Sequence, residues 1–306
     1  MPAITTPNTG IELFYEQAGD RANETILLIM GVGAQMTLWP DEFVAALVGR
    51  GFHVVRFDNR DIGLSQKMTG QRPPKIVWQF LRKRIGWPMK VPYTLKDMAA
   101  DAAGLLDALD IDAAHVVGAS MGGMIAQLMA IHHRERLLSL TSVMSTTGDP
   151  KLPQADKEAI SALMGRPKSG SEEDMVNHGV RVLRAIGSPG YEFNEERARN
   201  LTRSNLGRGE MDPVGLARQF AAIIDDGDRT KRLARVTTPT LVLHGEGDPL
   251  VKLAGGEATA EAIPGAKLVT LPGWGHDVPL ALVDRLADEI TAHAGASSPK
   301  ALEAAE

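Results

Sequence analysis

Residues 115–130 read "HVVGASMGGMIAQLMA", and the fold turns on how that stretch is parsed. A β-branched apolar run stops at Gly118, a lone hydroxyl follows at Ser120, and from Met121 the pattern becomes helical. A strand that passes through glycines straight into a helix is the building step of a parallel sheet with helical crossovers. Within it, "GASMG" (118–122) is a G-x-S-x-G pattern, the mark of a sharp turn that exposes a serine hydroxyl. The bland alternative is a tight turn carrying an idle serine, so the surroundings must decide.

Outward from that stretch, the chain alternates. "AITTPNTGIELFYEQAG" predicts a hairpin turning at Asn8 and Gly10. "TILLIM" (25–30), "FHVVRFD" (52–58), "AHVVGA" (114–119), "LLSLTSVMS" (137–145), "TLVLHG" (240–245) and "AKLVTL" (266–271) predict strands. Helical patterns fall at 40–51, 94–109, 121–133 and 279–294. Strands this continuously apolar are buried on both faces, so the fold class is α/β: a mostly parallel central sheet flanked by helices. Between 149 and 236 only helical patterns occur, at 155–164, 171–186, 193–206 and 212–224. The expected organisation is a core of 1–148 and 237–294, an inserted helical lid of 149–236, and a flexible tail of 295–306.

Composition narrows the function. The chain has 306 residues, a formal charge of −5 and no cysteine. The charge gives no case for nucleic acid or an anionic membrane as partner. The missing thiols exclude disulfides, thiolate metal sites and a cysteine nucleophile. The start of the chain lacks a basic segment followed by an apolar one, and no run approaches membrane-spanning length. A cytoplasmic protein acting on a small molecule, without metal or cofactor, is the expectation; a homodimer is left open.

A serine hydroxyl becomes a nucleophile only when a base takes its proton, and that base needs an orienting partner. On such a sheet the acid and then the histidine follow the serine, each past the C-terminal end of a strand. "TLVLHGEGDPL" offers Asp248, with Glu246 as competitor, and "LVTLPGWGHDVP" offers His276. Asp277 is adjacent to that histidine and badly placed to accept from its ring. The other seven histidines open strands or lie in helices, except His244, which closes a strand beside Gly245. An oxyanion would need N–H donors, and Met121 and Val32, the latter between Gly31 and Gly33, are the candidates.

The motifs "MGVG", "FDNRDIGLS" (57–65), "VVGASMGG", "HGEGDPLV" and "GWGHDVP", in this order, resemble the α/β-hydrolase superfamily over roughly residues 10–294. The segments "MGVGAQMTLWPDEF" and "RFDNRDIGLS" look most like the aclacinomycin methylesterase type of bacterial esterase. The resemblance implies a serine hydrolase with Ser120 as nucleophile, His276 as base and acid, and Asp248 as orienter. It implies an ester or lactone of a bulky, largely apolar compound as substrate. Met30 stands where many relatives carry a histidine, and Asp61 where many carry glycine; Asp58 and Arg60 are expected to brace their loop. Perhydrolase or haloperoxidase chemistry, carbon–carbon bond hydrolysis and a slowly turning-over receptor are the alternatives on the same scaffold. Met36, Trp39, Met164, Met175 and Met211 are the candidate substrate contacts, as adaptable apolar side chains in the lid or near the glycine loop. The segment 72–93 is either a second wall of the pocket, an oligomer contact, or an amphipathic helix on its own domain.

Overall fold

The computed structural model describes residues 3–72, 89–209 and 212–298. Its strands are β1 (Ala3–Thr5), β2 (Glu12–Ala18), β3 (Thr25–Ile29), β4 (His53–Phe57), β5 (Ala114–Ala119), β6 (Leu137–Val143), β7 (Thr240–Gly245) and β8 (Lys267–Leu271). Its helices are α1 (Asp41–Gly49), α2 (Leu95–Ala108), α3 (Met121–His132), α4 (Lys157–Leu163), α5 (Glu172–Ile186), α6 (Glu195–Arg208), α7 (Pro213–Asp226), α8 (Thr230–Leu233), α9 (Leu253–Ala262) and α10 (Val283–Ala296).

The strands form one sheet in the order β1-β2-β4-β3-β5-β6-β7-β8. β2 pairs antiparallel with β1 and β4, and the remaining pairings are parallel. Every residue of β3, β4, β5 and β7 is buried, which is why their sequences show no alternation. α2 and α3 cover one face, where Leu105, Ile125 and Leu128 meet Leu27 and Val116. α1 and α10 cover the other, where Phe43, Leu286 and Ile290 meet Leu28 and Val117. β3 is followed on one side by β4, and the chain then returns on its other side as β5. The C-terminal ends of β3 and β5 therefore flank the point where the strand order reverses, a natural crevice for a ligand.

Between β6 and β7 run α4 to α8, of which α5, α6 and α7 are each opened by a side-chain cap: Ser171, Asn194 and Asp212. Val176, Val180 and Ala198 give α5 and α6 a small apolar cluster of their own. α9 has no counterpart in the sequence reading; its "LAGGEATAEA" holds two glycines and too weak an apolar stripe to announce a helix. The tail expected from 295 does not begin there. α10 runs to Ala296, and Ser297 and Ser298 are buried, their hydroxyls donating to the His293 carbonyl and to Glu24 Oε1. Residues 299–306 lie outside the described residues, as do 73–88 of the 72–93 segment. No helix among the described residues is long and apolar enough to cross a membrane.

The 58–65 loop is tied to the helical insertion by charge. Asp61 sits at φ 72, a region that favours glycine. Its carboxylate takes a bidentate pair of bonds from Arg218 of α7 (2.8 and 2.7 Å), one from the Met68 N–H and one from the Tyr93 hydroxyl. Burial pushes its pKa up, but Arg218, Met68 and Tyr93 together hold it below the ordinary carboxylate value. Asp61→Asn leaves a buried guanidinium short of its counter-charge and should destabilise the protein by roughly 3–5 kcal/mol in denaturant titration at neutral pH. A depressed carboxylate stabilises above its unfolded pKa and loses that contribution as pH falls through its folded pKa. The gap between variant and wild type should therefore narrow in acid; a pH-independent gap would contradict this.

Candidate active site

β5 ends at Ala119, and Ser120 turns the chain into α3 at φ 57, ψ −121, a backbone region that side chains disfavour. The turn is held from both sides. The Ser120 N–H donates to the Val143 carbonyl (2.9 Å), and its carbonyl accepts from the Ser145 hydroxyl (2.8 Å) and the Gly123 N–H (2.9 Å). The flanking glycines are steric necessities. A Cβ at Gly118 would land on the Gly122 carbonyl, and one at Gly122 on the Ile29 carbonyl of β3. The bend thus forces the hydroxyl outward, and among the described residues it makes no hydrogen bond.

The loop after β3 lies against that serine: a Cβ on Gly31 would be 3.1 Å from Ser120 Cβ and 3.5 Å from its Oγ. Two N–H groups are open nearby. Val32 N–H has no acceptor among the described residues, and Met121 is the first residue of α3, where no intrahelical acceptor exists. Gly33 N–H, by contrast, donates to Gln219 Oε1 at 2.9 Å.

Asp248 and His276 meet. His276 Nδ1 lies 2.7 Å from Asp248 Oδ2, while Asp248 Oδ1 accepts from the N–H groups of Leu250 and Val251, each at 2.8 Å. The carboxylate has no proton to give, so the imidazole carries hydrogen on Nδ1 and leaves Nε2 as the free base. Burial raises the Asp248 pKa, but His276, the Val251 N–H and His244 outweigh it and hold the group below the ordinary carboxylate value. Glu246, the competing acid, points instead to the Thr270 hydroxyl at the exposed edge. Asp277 accepts from the Ser188 hydroxyl. His244 packs beneath: its Nε2 donates to the Val251 carbonyl (2.8 Å) and stands 3.6 Å from Asp248 Oδ2. Burial lowers the His244 pKa.

The histidine loop is gripped by the turn after α5. His276 N–H donates to the Ile186 carbonyl, Gly275 N–H to Ser188 Oγ, and Gly190 N–H to the Gly273 carbonyl. Ser120, Val32 and His276 all line one cleft of about 1540 Å³ between the strand ends and α5, α6 and α7. Its apolar wall comes largely from the insertion, with Leu163, Val182, Leu183, Phe193, Leu201 and Leu206. Among the described residues no cluster of three or more histidine or carboxylate groups is placed to hold a metal ion.

The expected substrate contacts that fall among the described residues lie off the cleft wall. Met36 and Trp39 are fully buried in the core, Trp39 stacked on Phe43, because the single helical turn at Met36–Leu38 rotates both inward and leaves Thr37 and Leu38 on the cleft. Met164 is 54% exposed and faces solvent at the end of α4; its neighbour Leu163 takes the cleft position. Met175 is half-buried on α5 and is not part of the cleft wall. Met211 lies outside the described residues. Met30, where relatives carry a histidine, does line the cleft. Asp58 and Arg60 brace their loop: Asp58 accepts from Met36 N–H, Leu64 N–H and Arg208, and Arg60 forms two 2.6 Å bonds to Asp101. Ser145, Ser188 and Gln219 went unnoticed in the sequence. Each acts through a contact distant along the chain, and no local pattern marks such a contact.

The chain's similarities to known proteins agree with this fold. The α/β-hydrolase-fold family matches residues 24–280. Two rhodomycin D methylesterases, DauP of Streptomyces sp. (strain C5) and DnrP of Streptomyces peucetius, are 31% and 32% identical to the chain, each match covering 97% of it and 100% of the relative. The crystal structure of the enol-lactonase from Burkholderia xenovorans LB400 superposes with a TM-score of 0.72 at 25% identity, over 95% of this chain and 99% of that one.

Proposed function

This chain belongs to the α/β-hydrolase family and is a hydrolase of the ester type, and on that premise we propose that it cleaves a carboxylic ester or lactone of a bulky, largely apolar small molecule through an acyl-enzyme on Ser120. The observation that carries the reading is the 2.7 Å His276–Asp248 bond at the rim of the cleft onto which the strained Ser120 opens. His276 Nε2 takes the hydroxyl proton as Ser120 Oγ attacks the carbonyl carbon. The negative charge that develops on the carbonyl oxygen is met by the N–H groups of Val32 and Met121. His276 then hands its proton to the leaving alkoxide, and water activated by the same nitrogen releases the acid and restores the serine. In the free protein the serine and imidazole are not hydrogen-bonded; catalytic bonds commonly tighten once substrate fills the site.

Size supports the substrate class. A cleft of about 1540 Å³ exceeds the roughly 300–1,000 Å³ that suits a drug-sized ligand, and α5 and α6 give its wall Val182, Leu183, Leu201 and Leu206. The methylesterase relatives suggest a methyl ester, and the size of the cleft suggests a large acid part such as a ring system. Binding energy from a remote ring system can be used in the transition state, so methyl esters of polycyclic acids should exceed methyl acetate in kcat/KM by at least ~100-fold. A graded panel of methyl esters and lactones, followed by methanol release and acid formation, checks this. Equal rates on small and large acyl groups would sink the substrate class.

A further inference from the structure

We propose that Gln219, on α7 of the helical insertion, is a positioning residue that sets the oxyanion hole. This rests on the reading of Ser120 as nucleophile and of Val32 N–H as an oxyanion donor, and it assigns a task to a residue outside the cleft wall.

Gln219 is fully buried, and its amide is used at both ends. Oε1 accepts from Gly33 N–H at 2.9 Å, and Nε2 donates to the Arg60 carbonyl at 3.0 Å. Arg60 is itself immobilised by its two 2.6 Å bonds to buried Asp101 and lies over the Tyr93 ring. The amide therefore bridges a rigid anchor to the glycine loop. Val32 stands between two glycines, so the peptides on either side of it are free to rotate unless something holds them. Gly33, at φ 69, is held by Gln219 and covered by Leu216, whose Cδ1 would lie 2.8 Å from any Cβ there. With Gly33 N–H turned into α7, Val32 N–H stays without a protein acceptor among the described residues, and Val32 lines the cleft. Preorganised donors stabilise a developing charge only if they need not reorient, so loosening this one bond should act on the transition state.

The test uses the full-length protein and a trifluoromethyl ketone that forms a tetrahedral hemiketal with Ser120. In Gln219→Met, which keeps the volume and loses both bonds, kcat should fall ~10–100-fold with KM within about threefold. Affinity for the ketone should fall by the same factor as kcat. Gln219→Glu, which keeps an acceptor for Gly33, should recover most of that loss. A Q219M enzyme with unchanged kcat and unchanged ketone affinity, or one altered in KM alone, would overturn the proposal. Amide hydrogen exchange by NMR on the wild type tests it even if Q219M does not fold. Gly33 N–H should be protected in the free enzyme and Val32 N–H should become protected only in the hemiketal; an unprotected Gly33 would overturn it. Failure to form any hemiketal on Ser120 would instead count against the proposed function, whereas a hemiketal indifferent to Gln219 would count against this inference alone.

Discussion

Ser120→Ala is expected to lower kcat on its best ester ~10⁴–10⁶-fold while leaving the fold intact, because it deletes the attacking atom and keeps the Cβ. The backbone supplies a second, independent readout. Ser120 is held at φ 57, ψ −121 by bonds to Val143, Ser145 and Gly123, an arrangement that costs a side-chain-bearing residue of order 1–3 kcal/mol. Alanine retains that cost, so its unfolding midpoint should match the wild type. Ser120→Gly relieves it, offset in part by the greater freedom of glycine in the unfolded chain, and should be more stable by about 1 kcal/mol while equally inactive. A dead but more stable variant is the signature of strain held at a working turn. If S120G were less stable than S120A, the strain argument would fail even with the chemistry intact.

The second large effect is expected at Asp248. Asn in its place fits the same volume and can still take the N–H groups of Leu250 and Val251 on its oxygen. Its amide nitrogen then faces His276 Nδ1 as a donor and selects the tautomer whose hydrogen sits on Nε2, where the base must be bare. Loss of ~10⁴-fold in kcat follows, with little change in KM. Glu246→Gln is the control: its carboxylate bonds to Thr270 on the exposed edge of β8, so the variant should stay within about twofold of wild type. A reversed outcome would move the orienting role two residues along the chain.

Much of this arrangement was legible in the sequence because it is written in local patterns. Largely apolar runs of five or six residues marked β3, β4, β5 and β7, since a strand covered on both faces shows no regular alternation of polar positions. The Gly118–Ser120–Gly122 spacing was legible because the collisions that require it are between near neighbours and the adjoining β3. Asp277 could be set aside in the sequence by its adjacency to His276, whereas Glu246 stayed a competitor of Asp248; the hydrogen bonds separate the two, since Asp248 pairs with the imidazole and Glu246 with Thr270.

Side-chain direction was not legible in the same way. Met36 and Trp39 sit at the mouth of the glycine loop in sequence, yet one short helical turn buries both and presents Thr37 and Leu38 instead. Helix α9 is not announced in the sequence, since its two glycines pack closely against Thr146 and His244 rather than forming an apolar stripe. Gln219 is separated from Gly33 by 186 positions, and a glutamine on an amphipathic helix is ordinarily a solvated one.

The account stands most directly on the identity of the attacking atom. Treatment with a fluorophosphonate, followed by peptide mass spectrometry and an ester assay on the same sample, should give one adduct per chain on Ser120. Residual activity should fall in proportion to labelling, and the adduct should be absent in S120A and strongly slowed in His276→Ala. A protein that is fully labelled elsewhere, or that resists the label and still hydrolyses its ester, would contradict the account.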